Sequence, residues 1–212
     1  MTFSVNDYVD YCVCAAALIS ENKDYITELD AATGDGDHWA NMNLGFQKLV
    51  DSNQALRGES YSGLFKKIGM TLMGTIGGSS GVLYGSAYLS AAKVVGDTDE
   101  MDVRILNQVL SAMLEGICER GNSGPGMKTM IDTLDAAAGE LKAALAEGLD
   151  EEGALRRMER GAKRGMESTA QMAAVRGRAY YQADKGVGHL DPGAVTMYYQ
   201  LKTLAECMLK KR

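Results

Sequence analysis

Helix-length apolar stretches alternate with short glycine- or acid-rich joints along the whole chain, and this rhythm restricts the fold to packed helices. Periodicity and cap residues predict helices at about 5–29, 39–51, 60–75, 80–94, 102–120, 127–147, 151–174 and 192–210. Val9, Cys12, Ala16, Leu18 and Ile19 mark one face of the first. Asp191 reads as the N-cap and Pro192 as the first residue of the last, the preferred placing for both. Only two prolines and three phenylalanines occur in 212 residues, beside long Ala-, Leu- and Met-rich stretches, which favours helix over sheet. No linker, repeat or low-complexity tract divides the pattern, so residues 1–212 read as a single domain. Short joints favour antiparallel neighbours, so the expected architecture is all-α, eight antiparallel helices in an up-and-down bundle or barrel.

The residues that carry chemistry sit in the joints after the first, third, fifth and seventh of these helices. An antiparallel arrangement places all four joints at one end, where four separate motifs become one candidate site.

The densest joint is Asp30-Ala31-Ala32-Thr33-Gly34-Asp35-Gly36-Asp37-His38, with three carboxylates and an imidazole in nine residues. Carboxylates this close resist joint ionisation unless a cation or a set of donors compensates. Asp30, Asp35 and Asp37 suit a hard cation with oxygen ligands, and Mg²⁺ takes few protein carboxylates, leaving room for phosphate and water. A solvated turn with an Asx cap remains the competing reading. No glycine-hinged twelve-residue loop closing on Glu follows, so an EF-hand is excluded. The chain's two histidines, His38 and His189, both lie in glycine/aspartate joints.

Gly74-Thr75-Ile76-Gly77-Gly78-Ser79-Ser80-Gly81 opens a helix with free N–H groups and two hydroxyls, a setting that binds phosphate or, alternatively, lets helices approach closely. Met127 separates Gly126 from Lys128 and no strand precedes them, so a Walker A loop is excluded. Arg176 and Arg178 put two guanidiniums in the long joint of about 175–190, and such groups match phosphate geometry where charge develops during transfer. Met130 follows the fifth joint, where a soft side chain packs well against a flat base. Carboxylates, a helix N-terminus, hydroxyls and arginines are the parts phosphoryl transfer needs.

Composition narrows the partners. A net charge of −6 argues against a nucleic-acid or anionic-membrane surface. The first residues lack a basic n-region, and no segment reaches the roughly 20 apolar residues that span a bilayer, so a soluble, cytoplasmic protein is expected. Cys12, Cys14, Cys118 and Cys207 show no C-x-x-C or zinc spacing and read as reduced thiols.

These motifs resemble the L subunit of dihydroxyacetone kinases, the nucleotide-binding subunit, over nearly the whole chain. The matching residues are Gly34-Asp35-Gly36-Asp37-His38 with Asn41-Met42, Gly77-Gly78-Ser79-Ser80-Gly81, Lys128-Thr129-Met130, Gly177-Arg178-Ala179 and Gly188-His189-Leu190-Asp191-Pro192-Gly193. The resemblance implies an eight-helix barrel with nucleotide and Mg²⁺ at one end, Asp30, Asp35 and Asp37 holding the metal. It implies His38, Asn41, Ser79, Ser80 and Arg178 at the phosphates, with His38 and Arg178 as the catalytic pair. Gly121 and Met130 would line the base, and Asp191, Pro192 and Gly193 would close the site.

It further implies a phosphotransferase with an alcohol acceptor, handing phosphoryl to dihydroxyacetone on a separate K subunit. The nucleotide is ATP, or a resident ADP recharged by a phosphotransferase-system M subunit, and the second arrangement suits a free-standing chain better. An ATP-dependent version acting on another triose or a tetrulose, and a non-catalytic nucleotide-binding regulator, are the alternatives. A homodimer is left open. Trp39, Met127 and residues 180–186 depart from the family pattern, and Trp39, Tyr180 and Tyr181 are the expected aromatic anchors for docking.

Overall fold

The computed structural model describes residues 2–211 and is built almost entirely of helix. In chain order these are α1 Val5–Glu21, α2 Lys23–Thr33, α3 His38–Asp51, α4 Asn53–Leu56, α5 Tyr61–Thr75 and α6 Gly78–Val95, then α7 Val103–Gly121, α8 Met130–Ala146, α9 Glu151–Ser168 and α10 Pro192–Lys210. Two-residue strands, β1 Phe3–Ser4 and β2 Glu100–Met101, pair antiparallel. Short 3₁₀ turns cover Thr169–Gln171 and Arg178–Tyr181.

Side chains supply most of the helix starts. Ser4 and Asp7 form a capping box on α1, Ser60 caps α5, and Asp150 caps α9. Asp102 accepts from the amides of Arg104 and Ile105 at 2.8 Å to open α7. Asp191 accepts from the Ala194 amide at 2.7 Å with Pro192 behind it, as its sequence foretells.

Each long helix packs on its neighbours in the order α1, α3, α5, α6, α7, α8, α9 and α10, and α10 returns to α1 to close the ring. Eight of the ten helices among the described residues thus form an antiparallel barrel. The expected count of eight misses two pieces. The predicted first helix breaks at Asn22, which leaves helical backbone (φ −98°, ψ 26°) and whose side-chain amide donates to the Leu18 carbonyl at 2.8 Å, a local bond that competes with the helix ladder. The four-residue α4 bridges α3 to α5.

Two further boundaries differ. The helix expected from about 127 starts at Met130, because Gly126 and Lys128 take left-handed backbone (φ 84° and 60°) and Thr129 with Asp132 builds a capping box. The helix expected to run to about 174 ends at Ser168 in a 3₁₀ turn. No helix of the described residues is long and apolar enough to cross a membrane.

Candidate functional site

The four joints singled out by parity do meet. Residues 34–37, 76–77, 122–129 and 172–191 rim one end of the barrel around a cavity of about 670 Å³. Asp30, Asp35, Asp37, His38, Asn41, Ser79, Ser80, Gly121, Met130, Arg178, Asp191, Pro192 and Gly193 all line it. Of the residues the sequence singles out, these are brought together, while His189 is not.

The anionic wall is built at the end of α2. Asp30 is buried, and its carboxylate accepts from the backbone N–H of His38 at 2.9 Å, tying the loop to the start of α3. A Cβ on Gly34 would stand 2.5 Å from that carboxylate, so only glycine lets the chain turn this closely over it. Asp35 and Asp37 then project outward, and one oxygen from each of the three carboxylates lies within 4.8 Å of the others. Trans ligands of a Mg²⁺ with metal–oxygen distances of 2.0–2.1 Å stand about 4 Å apart, so the triad fits such an ion with small side-chain rotations.

His38 lies beneath this wall, and its Nε2 is 2.9 Å from the Thr196 hydroxyl oxygen. That hydroxyl also lies within hydrogen-bond reach of the Gly193 carbonyl, at 3.2 Å. Burial holds the imidazole below its usual pKa range, against the pull of Asp30 and Asp37. His38 is a buried, clamped ring. His189 is exposed, and its side chain does not line the cavity.

Four helices begin at the cleft, and they treat their first amides differently. Thr129 and Asp132 satisfy those of α8, with the Thr129 amide donating to Asp132 at 2.8 Å. Asp191 caps α10, and Asp30 takes the first amide of α3. Only α6, opened by Gly77, carries neither a side-chain cap nor a carboxylate at its start. A Cβ on Gly81 would meet the Ile76 carbonyl at 2.2 Å, so glycine is what lets α6 begin in this tight turn. Its free N–H groups, with Ser79 and Ser80 beside them, make the one helix terminus here suited to an anion.

Val82, Leu83, Ile117, Met130 and Ile131 supply an apolar floor from α6, α7 and α8. On the far rim Arg178 is exposed, and its guanidinium pairs with Asp35 at 2.6 Å. Arg176 donates to the Asn122 carbonyl at 2.9 Å and ties the long loop to the α7–α8 joint. Burial raises the Asp191 carboxyl to about 7, the Ala194 amide and the Lys128 ammonium working against it.

Residues 32–206 match the model of the DAK2 domain. The chain belongs to the DAK2 family. It is 32% identical over 205 residues, 97% of its own length and 98% of the relative's, to the ADP-binding subunit DhaL of the PEP-dependent dihydroxyacetone kinase of Escherichia coli (strain K12). The ADP-binding subunit DhaL of the PTS-dependent dihydroxyacetone kinase of Lactococcus lactis is 36% identical over 188 residues, covering 89% of this chain and 90% of that one.

Among solved structures, the native dihydroxyacetone kinase of C. freundii superposes with a TM-score of 0.73 at 25% identity over 93% of this DAK2 chain and 34% of the kinase. Its complex with AMP-PNP and Mg²⁺ gives 0.70 at 26% identity, over 93% and 33%. The DAK2 chain thus spans about a third of that longer kinase.

The roles of three residues in this DAK2 site escape sequence reasoning. Thr196 holds the imidazole, and Asp132 ties down the 122–129 loop by accepting from the Gly126 amide at 2.5 Å. Lys128, with 2% of its surface exposed, lies at the back of the cleft. The Thr-x-x-Asp spacing of Thr129 and Asp132 was the readable signal for the second; the first and third depend on long-range contacts. Trp39 corrects an expectation. Its indole N–H donates to the Ile19 carbonyl at 3.0 Å and Lys23 stacks over its ring, so it braces α3 against α1 instead of standing out as a docking anchor.

Proposed function

We propose that this chain is the nucleotide-binding subunit of a dihydroxyacetone kinase, acting as one DAK2 domain. It would hold Mg-nucleotide and pass phosphoryl to dihydroxyacetone carried by a separate K subunit, with resident ADP recharged from phosphoenolpyruvate through a phosphotransferase-system M subunit. The observation that carries this reading is the arrangement across one cleft: the Asp30, Asp35 and Asp37 triad faces the uncapped start of α6 and Arg178. The likeness to relatives named ADP-binding subunits, covering almost the whole of each, supports it. The same reading places the chain in the cytoplasm, which four unpaired thiols support.

In this reading the three carboxylates hold Mg²⁺, which when bound neutralises phosphate charge and orients the transferred group. The α6 amides with Ser79 and Ser80 receive phosphate oxygens, helped by Asn41. Met130 and the apolar floor beside Gly121 take the flat base. Asp191, Pro192 and Gly193 form the inner wall, and His38 clamps that wall to the carboxylate loop. Arg178 leaves Asp35 for the phosphates as charge develops, a task suited to its planar fork.

Two histidines are the chain's whole supply, one clamped and one outside the cavity, so no imidazole is left to form an adduct with a ketone. The isolated chain is therefore expected to bind Mg-ADP in calorimetry yet phosphorylate no free dihydroxyacetone until a K-type subunit is added. Turnover by the chain alone would overturn the division of labour. Release of ADP on dialysis, with activity restored by ATP, would instead support an exchanging ATP-dependent kinase.

A further inference from the structure

Residues 172–190 form the longest joint among the described residues and carry Arg176 and Arg178, two of the three arginines that line the cleft. Their side-chain ties to distant elements are Arg178 to the Asp35 carboxylate, Arg176 to the Asn122 carbonyl and Gln182 to the Ala32 carbonyl, at 2.6, 2.9 and 3.0 Å. The roots of the loop are closer together. The Gly188 amide donates to the Ala170 carbonyl at 2.7 Å, and the Asp191 amide to the Thr169 hydroxyl at 3.0 Å.

Lys128 reaches both roots at once from another joint. Its ammonium donates to the Thr169 carbonyl at the end of α9 and to the His189 carbonyl just before α10, each at 2.5 Å. Its stem lies under Gly186, where a Cβ would stand 3.1 Å from Lys128 Cε. Asp191, Asp132 and Asp184 surround the charge electrostatically. To sit here the residue holds φ at 60°, a left-handed conformation that costs a side-chain-bearing residue free energy and persists where the surroundings impose it.

We infer that Lys128 is a positioning residue, the latch that draws together the two roots of the 172–190 loop and thereby sets the reach of Arg178 into the cleft. Hydrogen bonds from a charged donor to carbonyls are among the stronger ones, and a loop closed at its neck loses much of its freedom to swing. One ammonium with several donors can serve two carbonyls in a way no apolar stem can. The effect on Arg178 rests on the nucleotide reading above; the closure of the loop does not.

The test uses the full chain and two variants. Lys128→Met keeps the stem and removes the donors. Lys128→Gly also removes the left-handed penalty, so it separates the latch from backbone strain. In ligand-free hydrogen exchange, peptides within 172–189 are expected to exchange about tenfold faster in both variants, with α5 and α6 unchanged. In Mg-ADP titrations, Arg178→Ala is expected to weaken binding in the wild-type background and to add little in the Lys128→Met background. Unchanged exchange in the loop of either variant, or fully additive effects of the two substitutions, would overturn the latch. Wild-type chain that binds no Mg-ADP would overturn the nucleotide reading while the exchange result still decides the latch.

Discussion

The two ends of the barrel are built on opposite principles. The end away from the cleft is closed by aromatic packing: Phe3, Tyr8, Tyr11, Tyr61, Phe65 and Tyr88 meet edge to face with centroids 4.9–6.5 Å apart. The Tyr61 hydroxyl donates to the Phe3 carbonyl at 2.8 Å, and the Tyr8 and Tyr88 hydroxyls meet at 3.2 Å. The hydroxyls of Tyr8, Tyr61 and Tyr88 are thus spent on one another and on backbone. The cleft end has the reverse character. Its carboxylates crowd together, its α6 amides lack a cap, and Arg178 stands exposed on the rim against Asp35. Stability gathers where groups are satisfied; binding capacity gathers where they are not.

This contrast should break first at the closed end. Phe65→Ala removes a fully buried ring and is expected to destabilise the fold by about 3–5 kcal/mol, while Mg-ADP affinity at low temperature stays near wild type. Denaturant melts paired with calorimetry would check it, and loss of binding in a variant still folded would show that the ends are not separable.

The mirror experiment is Asp37→Asn. It removes a charge at the cleft and should weaken Mg-dependent ADP binding by about a hundredfold, with the melting temperature unchanged or raised. Undiminished affinity would remove the metal assignment.

Arg178→Lys sharpens the comparison within the cleft end. The charge stays and the fork is lost, so phosphoryl transfer in the assembled kinase should fall about tenfold and Mg-ADP affinity by less. Equal losses in both measurements would make Arg178 a simple binding group.

The smallest effect concerns pH. A carboxyl raised to about 7 in the fold is protonated there more readily than in the unfolded chain. Asp191 therefore contributes most favourably below about pH 4, and that contribution is lost as pH rises to 7. Asn caps a helix as well as Asp and does not ionise. Solvent at the half-buried carboxyl and the nearby Lys128 limit the difference to about 1 kcal/mol, so ligand-free Asp191→Asn should melt about 3 °C higher above pH 7, the gap closing toward pH 4. Thermal melts across that range would check the sign.

How far the sequence reveals this molecule follows from the range of the forces involved. α10 begins where Asp191 and Pro192 predict, and α5, α6 and α7 fall within two residues of expectation, because caps and apolar period act locally. The meeting of four joints at one end follows from counting antiparallel helices, and the Asp30, Asp35 and Asp37 triad was visible in its spacing. The break at Asn22 turned on one side chain competing with the helix ladder, and the late start of α8 on left-handed backbone at a lysine, which no local preference favours. The pairing of His38 with Thr196, 158 positions apart, had no sequence signature at all.

The closing of the ring by α10 on α1 has an architectural consequence. β1 enters the molecule at the aromatic end, and α10 runs back to finish there, where Lys211 pairs with Asp7. Both ends of the described chain therefore emerge on the face opposite the cleft. Additional polypeptide joined at either one would hang clear of the opening, so a barrel of this layout can be spliced into larger proteins without rebuilding its mouth. Occupying about a third of a longer kinase is the arrangement such wiring permits.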